Sequence, residues 1–145
     1  MGLFNPNAYV LSDVNLLLQL AILVVLILAV FFKSKQSYPR HGATMGIAVT
    51  LHTILIFSIM VPSFASLLGS FGNLLWPSAA VIVLHAGLGS LVEILGLYLV
   101  LAWALNRWNV KICFGNKRFM KPTIILWLIE IALGIYVYVL LYVPL

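Results

Sequence analysis

The lysine and arginine residues of this chain are confined to two short stretches of the sequence. All eight lie within 33–40 or 107–121: Lys33, Lys35, Arg40, Arg107, Lys111, Lys117, Arg118 and Lys121. The segments between and outside these stretches are strongly apolar. Lys and Arg residues near the ends of membrane helices stay on the cytoplasmic side. The pattern therefore predicts an integral membrane protein with two basic cytoplasmic loops and with both termini outside.

The composition excludes an ordinary soluble domain. Of the 145 residues, 64% are hydrophobic and only 8% are charged, and the mean hydropathy is +1.18. A soluble core of this size cannot bury so much apolar surface. In a soluble protein the net charge of +5 would suggest nucleic acid, whereas in a membrane protein basic loops meet anionic headgroups or set orientation. We therefore expect a multi-pass protein of the cell membrane, in contact with the lipid bilayer and with no nucleic-acid partner.

Four segments are long enough to cross about 30 Å of hydrocarbon, which takes about 20 residues each. They cover approximately 14–32, 41–61, 78–105 and 119–141. The first has no basic leader or cleavage site, so we interpret it as a retained span. The second is expected to stop before Pro62, which leaves 62–77 as an uncharged outer loop. Because the connections are short, consecutive spans should lie antiparallel. The fold class predicted for 1–145 is a single all-α domain, an up-down-up-down four-transmembrane-helix bundle.

Polar side chains inside the hydrocarbon are costly to keep, so they mark the candidate functional positions. Five stand out: His52 in the second span, His85 and Glu93 in the third, Glu130 in the fourth, and His41 at the cytoplasmic end of the second. His41 is expected to lie in the interface, near a lipid headgroup or a haem propionate.

Helical periodicity places several of these residues on shared faces. His41 and His52 are eleven residues apart and fall within about 20° of each other, with Met45 on the same stripe. One face of the third span carries a histidine and two glycines, flanked by a glutamate: His85, Gly89, Gly96 and Glu93. Such a face leaves room for a flat, bulky group to approach the backbone.

Depth indicates whether the two deeper histidines can meet. Counted from the outer side, His52 lies roughly 15 Å and His85 roughly 12 Å below the surface. Imidazoles at matching depth on adjacent antiparallel helices can supply both axial ligands of a b-type haem. Counted from the cytoplasmic side, His52, Glu93 and Glu130 lie roughly 16–18 Å in and would form a second polar layer. The first count pairs His52 with His85 and the second groups it with Glu93 and Glu130, so the two counts give His52 different partners.

Each candidate also has a structural interpretation. An intramembrane histidine can hydrogen-bond a carbonyl or hydroxyl group across a helix interface. Glu93 and Glu130 can join helices as protonated carboxyls, relay protons, or accept a hydrogen bond from a histidine ring. A non-haem metal site of His52 and these two glutamates would lack the Glu-x-x-His pairs of di-iron bundles. Because Cys113 is the sole cysteine, any haem would be bound non-covalently.

Two segments carry a resemblance to known proteins. The first is 40–45 (Arg-His-Gly-Ala-Thr-Met), followed by Leu51-His52 and by 60–64 (Met-Val-Pro-Ser-Phe). The second is 84–89 (Leu-His-Ala-Gly-Leu-Gly), followed by Leu95-Gly96 and Trp103. Both resemble the YozB/CtaM-like proteins, four-helix membrane proteins associated with maturation of haem-copper oxidases. The second is also similar to haem-carrying helices of cytochrome b561-type proteins.

The resemblance covers mainly 40–141 and implies a role near haem, either in assembling an oxidase or in passing electrons through a bound b haem. It touches three positions: His41, His52 and His85. A two-haem b561 protein needs four intramembrane histidines, and this chain has three in total. One bis-histidine haem is therefore the most that fits, and electron transfer would need a partner redox centre.

The leading hypothesis from the sequence is a haem-binding protein of a respiratory membrane, with His52 and His85 as axial ligands of a non-covalent haem b. Other membrane subunits of a respiratory complex are the expected partners. We expect no stand-alone catalytic activity, since the hydrolase, P-loop and dinucleotide motifs are missing. One alternative is a cofactor-free structural subunit of a membrane complex. Another is a proton or cation conductor that uses Glu93 and Glu130.

Overall fold

The computed structural model describes residues 9–69, 76–106, 109, 111 and 115–143, with the side chains of 76 and 77 left out. Every regular element in these ranges is helical. In chain order the elements are α1 (Val10–Ser34), α2 (Tyr38–Leu55), a π-helical turn (Ile56–Met60), α3 (Val61–Leu68), α4 (Trp76–Leu105) and α5 (Lys117–Tyr142). The prediction of an all-helical chain is confirmed.

Within the described ranges, four helical segments are long and apolar enough to cross a membrane. They are Val10–Ser34, Tyr38–Leu68, Ser78–Leu105 and Lys117–Tyr142. Each covers one of the spans predicted from the sequence, and the helices extend a few residues beyond most of the predicted ends. The chain is therefore consistent with a multi-pass membrane protein.

The second of these segments continues past the proline at which it was expected to stop. The π-helical turn precedes Pro62, and Val61 donates its N–H to the carbonyl of Ile56, five residues back. A wider turn of this kind accommodates a residue that lacks an N–H, because the local backbone bonds rearrange around it. The prediction that the helix stops before Pro62 is therefore wrong, and 62–68 of the expected outer loop are helical. Residues 70–75 of that loop lie outside the described ranges.

Each long helix packs against two others. α1 contacts α2 and α5, and α4 contacts the same two helices. One core of buried apolar side chains lies between them: Ile22, Leu26, Ala48, Val49, Leu55, Val92, Trp127 and Ile131. The outward faces carry large exposed apolar residues such as Ile27, Phe57 and Ile94. Apolar surface on this scale would be a liability in water and is typical of helices that face lipid.

Candidate functional site

A hydrogen-bonded histidine–glutamate pair joins α2 to α4 in the buried centre of the bundle. His52 is fully buried, and its Nδ1 lies 2.8 Å from Oε2 of Glu93. Thr53, the next residue in α2, donates its hydroxyl to the other carboxyl oxygen of Glu93. With Glu93 ionised, the imidazole donates its Nδ1–H, so the neutral ring presents Nε2 as an acceptor. The pair thus orients the ring and leaves its second nitrogen available.

The carboxyl group of Glu130, on α5, lies between the two deeper histidines. It is fully buried, with Oε2 4.0 Å from His52 Nε2 and Oε1 3.6 Å from His85 Nδ1. Both distances are longer than a direct hydrogen bond. Each of these four atoms is buried and has no hydrogen-bond partner in the described structure. Unpaired polar atoms in a buried site are costly, so a small rotation of the carboxyl toward either ring would be favourable.

A glycine in α5 makes room for the ring of His85. A Cβ placed on Gly134 would lie 3.0 Å from His85 Cε1, tighter than ordinary van der Waals contact. Gly134 stands four residues after Glu130 and four before Tyr138, so the three share one helix face. Along α5, the imidazole therefore lies at the level of Gly134, one helical turn from Glu130 and one from Tyr138. Gly134 was not among the predicted site residues, although its spacing of four residues from both Glu130 and Tyr138 was a usable signal.

Helix α1 adds buried polar side chains that the sequence analysis also missed. Gln19 is 4% exposed and lies close to the Glu130 carboxyl, but neither polar atom of its amide has a hydrogen-bond partner in the described structure. Asp13 is fully buried near the start of α1 and accepts a hydrogen bond from the Tyr138 hydroxyl. The signal was a run of polar residues at i, i+3 and i+7, the spacing of one helix face: Ser12, Asn15 and Gln19.

The structure brings four of the predicted site residues into one cluster: His52, His85, Glu93 and Glu130. The two glycines predicted to line a flat ligand face protein groups instead. A Cβ on Gly89 would lie 3.6 Å from a carboxyl oxygen of Glu130, and a Cβ on Gly96 would lie 3.1 Å from Val49 Cγ2. The glycine face of α4 is thus covered by neighbouring helices.

Two predicted residues lie apart from this cluster, near the other end of α2. His41 was expected in the interface, but it is only 2% exposed, and its Nδ1 lies 2.8 Å from the carbonyl oxygen of Ala29 in α1. This bond ties the end of α1 to the start of α2. His41 and Met45 line a small apolar cavity of about 40 Å³ together with Trp103. That volume is far below the roughly 300 Å³ at which ligand pockets begin.

The arrangement of His52 and His85 does not fit a haem held between them. Axial ligation needs both imidazoles to reach one iron from opposite faces of the macrocycle, and the Glu130 carboxyl occupies the space between the rings. The His52 ring also packs against Trp127, with ring centroids 5.2 Å apart. Within the described ranges, no group of three or more His, Cys, Asp and Glu residues has a geometry that could hold a metal ion. Haem ligation by these histidines stays a prediction from the sequence.

Comparison with known proteins identifies no family for this chain. No family model, curated protein or solved structure matches it. The resemblance to YozB/CtaM-like and cytochrome b561-type proteins therefore also stays a prediction, based on short motifs. Function has to be inferred from the chemistry of the buried polar cluster.

Proposed function

We propose that this chain is a multi-pass membrane protein that transfers protons through its buried histidine–glutamate cluster. The observation that supports this most directly is the position of His52. Its two ring nitrogens face carboxyl groups from two different helices, Glu93 at 2.8 Å and Glu130 at 4.0 Å. Imidazole can accept a proton on one nitrogen and release another from the second, which makes histidine a proton shuttle. Ionisable residues inside membrane helices are typical of proton relays.

The proposed transfer conserves charge at each step. A protonated Glu130 gives its proton to Nε2 of a neutral His52, which becomes an imidazolium ion. The imidazolium gives its Nδ1 proton to the Glu93 carboxylate, so one carboxyl ends ionised and the other protonated. The ring is left with its proton on Nε2, and it must return that proton to Nδ1 before the next transfer in the same direction. Moving the charge by short steps between paired groups avoids an isolated buried ion.

The proposal includes an orientation in the membrane. Contacts near the helix ends support alternating directions, because Ala29 late in α1 meets His41 early in α2. At the other end of the bundle, Asp13 early in α1 meets Tyr138 late in α5. The confinement of Lys and Arg to two stretches favours cytoplasmic loops there and both termini outside. The cluster then lies within the hydrocarbon region.

Proton flux in liposomes tests the function directly. The purified protein is reconstituted with a trapped pH-sensitive dye, and a potassium diffusion potential drives protons inward. We expect acidification faster than in protein-free liposomes, and a return to the protein-free rate in the Glu93→Gln variant. The amide of that variant can still accept hydrogen bonds, but it cannot take up a proton. Ser90→Ala, on an exposed position of the same helix, is the matched control and should conduct like the wild type. A wild-type rate equal to that of protein-free liposomes would contradict the proposal.

Haem binding is a second candidate, because His52 Nε2 and His85 Nδ1 are both unpaired and face the same carboxyl group. Oxidase maturation, partner subunits of a respiratory complex and residence in the cell membrane belong to this candidate. It would require Glu130 to move out of the space between the rings.

A reduced-minus-oxidised visible spectrum of the protein in mild detergent decides this second candidate. If the sequence hypothesis is right, the protein carries roughly one haem per chain, and His85→Ala loses it while the fold stays largely intact. A colourless protein, even after expression with haem supplied, would exclude resident haem. It would leave proton transfer and the cofactor-free structural role to be separated by the flux experiment.

A further inference from the structure

Several polar side chains lie between the buried cluster and one end of the bundle, the end where α1 begins and α5 ends. At that end the Tyr138 hydroxyl donates to Asp13. Asp13 is fully buried, whereas Tyr138 is partly exposed. The buried carboxyl is therefore connected to the surroundings through a phenol group that can donate and accept hydrogen bonds.

The way α1 and α5 are aligned brings polar side chains of both helices to the level of the cluster. Gln19 lies six residues beyond Asp13, about 9 Å along α1, and Glu130 lies eight residues before Tyr138, about 12 Å along α5. The two inner residues lie close to each other, and α1 packs against α5, so the helices run side by side between the two levels. The Oδ1 atom of Asn15, on the same part of α1, is buried without a hydrogen-bond partner.

His85 supplies a titratable group within this interval. Its ring lies over Gly134, between the levels of Tyr138 and Glu130, and its Nδ1 faces the Glu130 carboxyl at 3.6 Å. A proton leaving Asp13 would therefore meet an imidazole before it reaches Glu130. The other polar atoms along this interval are amides, which donate and accept hydrogen bonds but do not titrate.

The opposite half of the bundle has one buried titratable side chain among the described residues, His41, whose Nδ1 lies 2.8 Å from the carbonyl oxygen of Ala29. Beyond the cluster in that direction, Gly96 packs on Val49 and Trp127, followed by the cavity of about 40 Å³ beside Trp103. Thr123, which also lines that cavity, donates its hydroxyl within its own helix to the carbonyl of Phe119. The two ends of the bundle thus differ in the polar side chains that lead to the cluster.

We propose that Asp13 and Tyr138 form the proton entrance of the cluster, an inference that rests on the proposed proton-transfer function. Tyr138 gives its hydroxyl proton to the Asp13 carboxylate while its oxygen takes up a proton from a hydronium ion on the outer side, which leaves a water molecule. The protonated Asp13 then releases its proton toward His85 and Glu130. No bond other than O–H and N–H bonds forms or breaks, and no redox partner is required.

Variants at the entrance test the inference in the same liposomes. Asp13→Asn removes the titratable group and keeps its size, and Tyr138→Phe removes only the hydroxyl. We expect each to lower the proton flux by about 100-fold or more, as expected for loss of a positioned proton-transfer group. Tyr142→Phe is the matched control. Tyr142 lies one helical turn from Tyr138 and packs on its ring, with centroids 5.3 Å apart, but its hydroxyl is 2.9 Å from that of Ser12. This control should conduct like the wild type.

The outcomes separate the entrance from the function itself. If Glu93→Gln stops the flux but Asp13→Asn and Tyr138→Phe conduct at the wild-type rate, the entrance is wrong and proton transfer stands. If the wild-type protein shows no flux, both proposals fall. If Asp13→Asn does not fold, Tyr138→Phe decides, because it keeps the ring and its packing. A Tyr142→Phe variant as slow as Tyr138→Phe would also overturn the inference, since the loss would then follow from disturbing this end of the bundle.

Discussion

Replacing His52 with glutamine is expected to stop proton transfer while leaving the helix bundle intact. The glutamine amide can donate to Glu93 in place of the imidazole Nδ1–H, so the link between α2 and α4 is kept. Unlike the imidazole, the amide has no nitrogen that can take up a proton from Glu130, so a proton cannot pass through it. Loss of a positioned proton-transfer group lowers rates by about 100-fold or more. The measurement is dye-reported acidification of liposomes, together with the thermal unfolding midpoint of the same preparation in detergent.

His41→Gln provides a matched control on the same helix. Both histidines are buried, and both use Nδ1 in a contact with another helix, but His41 meets a backbone carbonyl of α1 and lies outside the proposed path. We expect this variant to conduct at the wild-type rate. If His52→Gln conducted as well as the wild type, the cluster would be a purely structural link between helices. The relay would then be excluded, whatever the stability of the variant.

Replacing Gly42 with alanine is expected to destabilise the bundle strongly. Gly42 of α2 lies against the indole of Trp103 in α4, and the new Cβ would overlap three atoms of that ring. Trp103 is 4% exposed, so the ring can yield only into the small cavity that both residues line. Overpacking of a buried contact costs about 1–3 kcal/mol. The expected result is a clear drop in the unfolding midpoint in mild detergent, followed by circular dichroism.

Gly46→Ala is the control for this prediction, since it makes the same chemical change one helical turn away. The nearest atom to a Cβ on Gly46 is Val100 Cγ1, at an ordinary contact distance of 3.9 Å. Alanine also favours helix more than glycine does, by up to about 1 kcal/mol, so this variant should unfold at or above the wild-type midpoint. Equal midpoints for the two variants would mean that α2 and α4 do not approach each other at Gly42 as closely as described.

The long helices were predictable because their signal is local. A run of apolar residues long enough to cross hydrocarbon identifies a helix without reference to any other part of the chain, and four such helices are found. The end of the second helix is the exception. Pro62 was expected to end the second helix, but the π-helical turn at Ile56–Met60 lets the helix continue to Leu68. A proline in a membrane helix either ends the helix or is accommodated within it, and the backbone of the preceding turn decides which occurs.

The candidate site was predictable only in part. Two counts of depth competed for His52, one pairing it with His85 and the other with Glu93 and Glu130. The structure places His52 in hydrogen-bonding contact with Glu93 and places Glu130 between the two histidines. Depth along a helix axis narrows the possible partners, but the rotation of each helix about its axis selects among them. Gln19 was missed because one polar residue in a strongly apolar span changes its hydropathy very little, and Asp13 was missed because the first span was predicted to begin at Val14.

By itself, the sequence determined that the chain is helical, that four helices are long and apolar enough to span a membrane, and which few polar residues lie inside them. These properties depend only on the residues within each segment, so each segment can be assigned independently of the others. The tertiary structure decided which polar atoms face one another. A shift of one residue moves a side chain about 1.5 Å along its helix and 100° around it. The meeting of His52 with two glutamates, and of Asp13 with Tyr138, therefore follows from how the four helices are rotated and offset in the packed bundle.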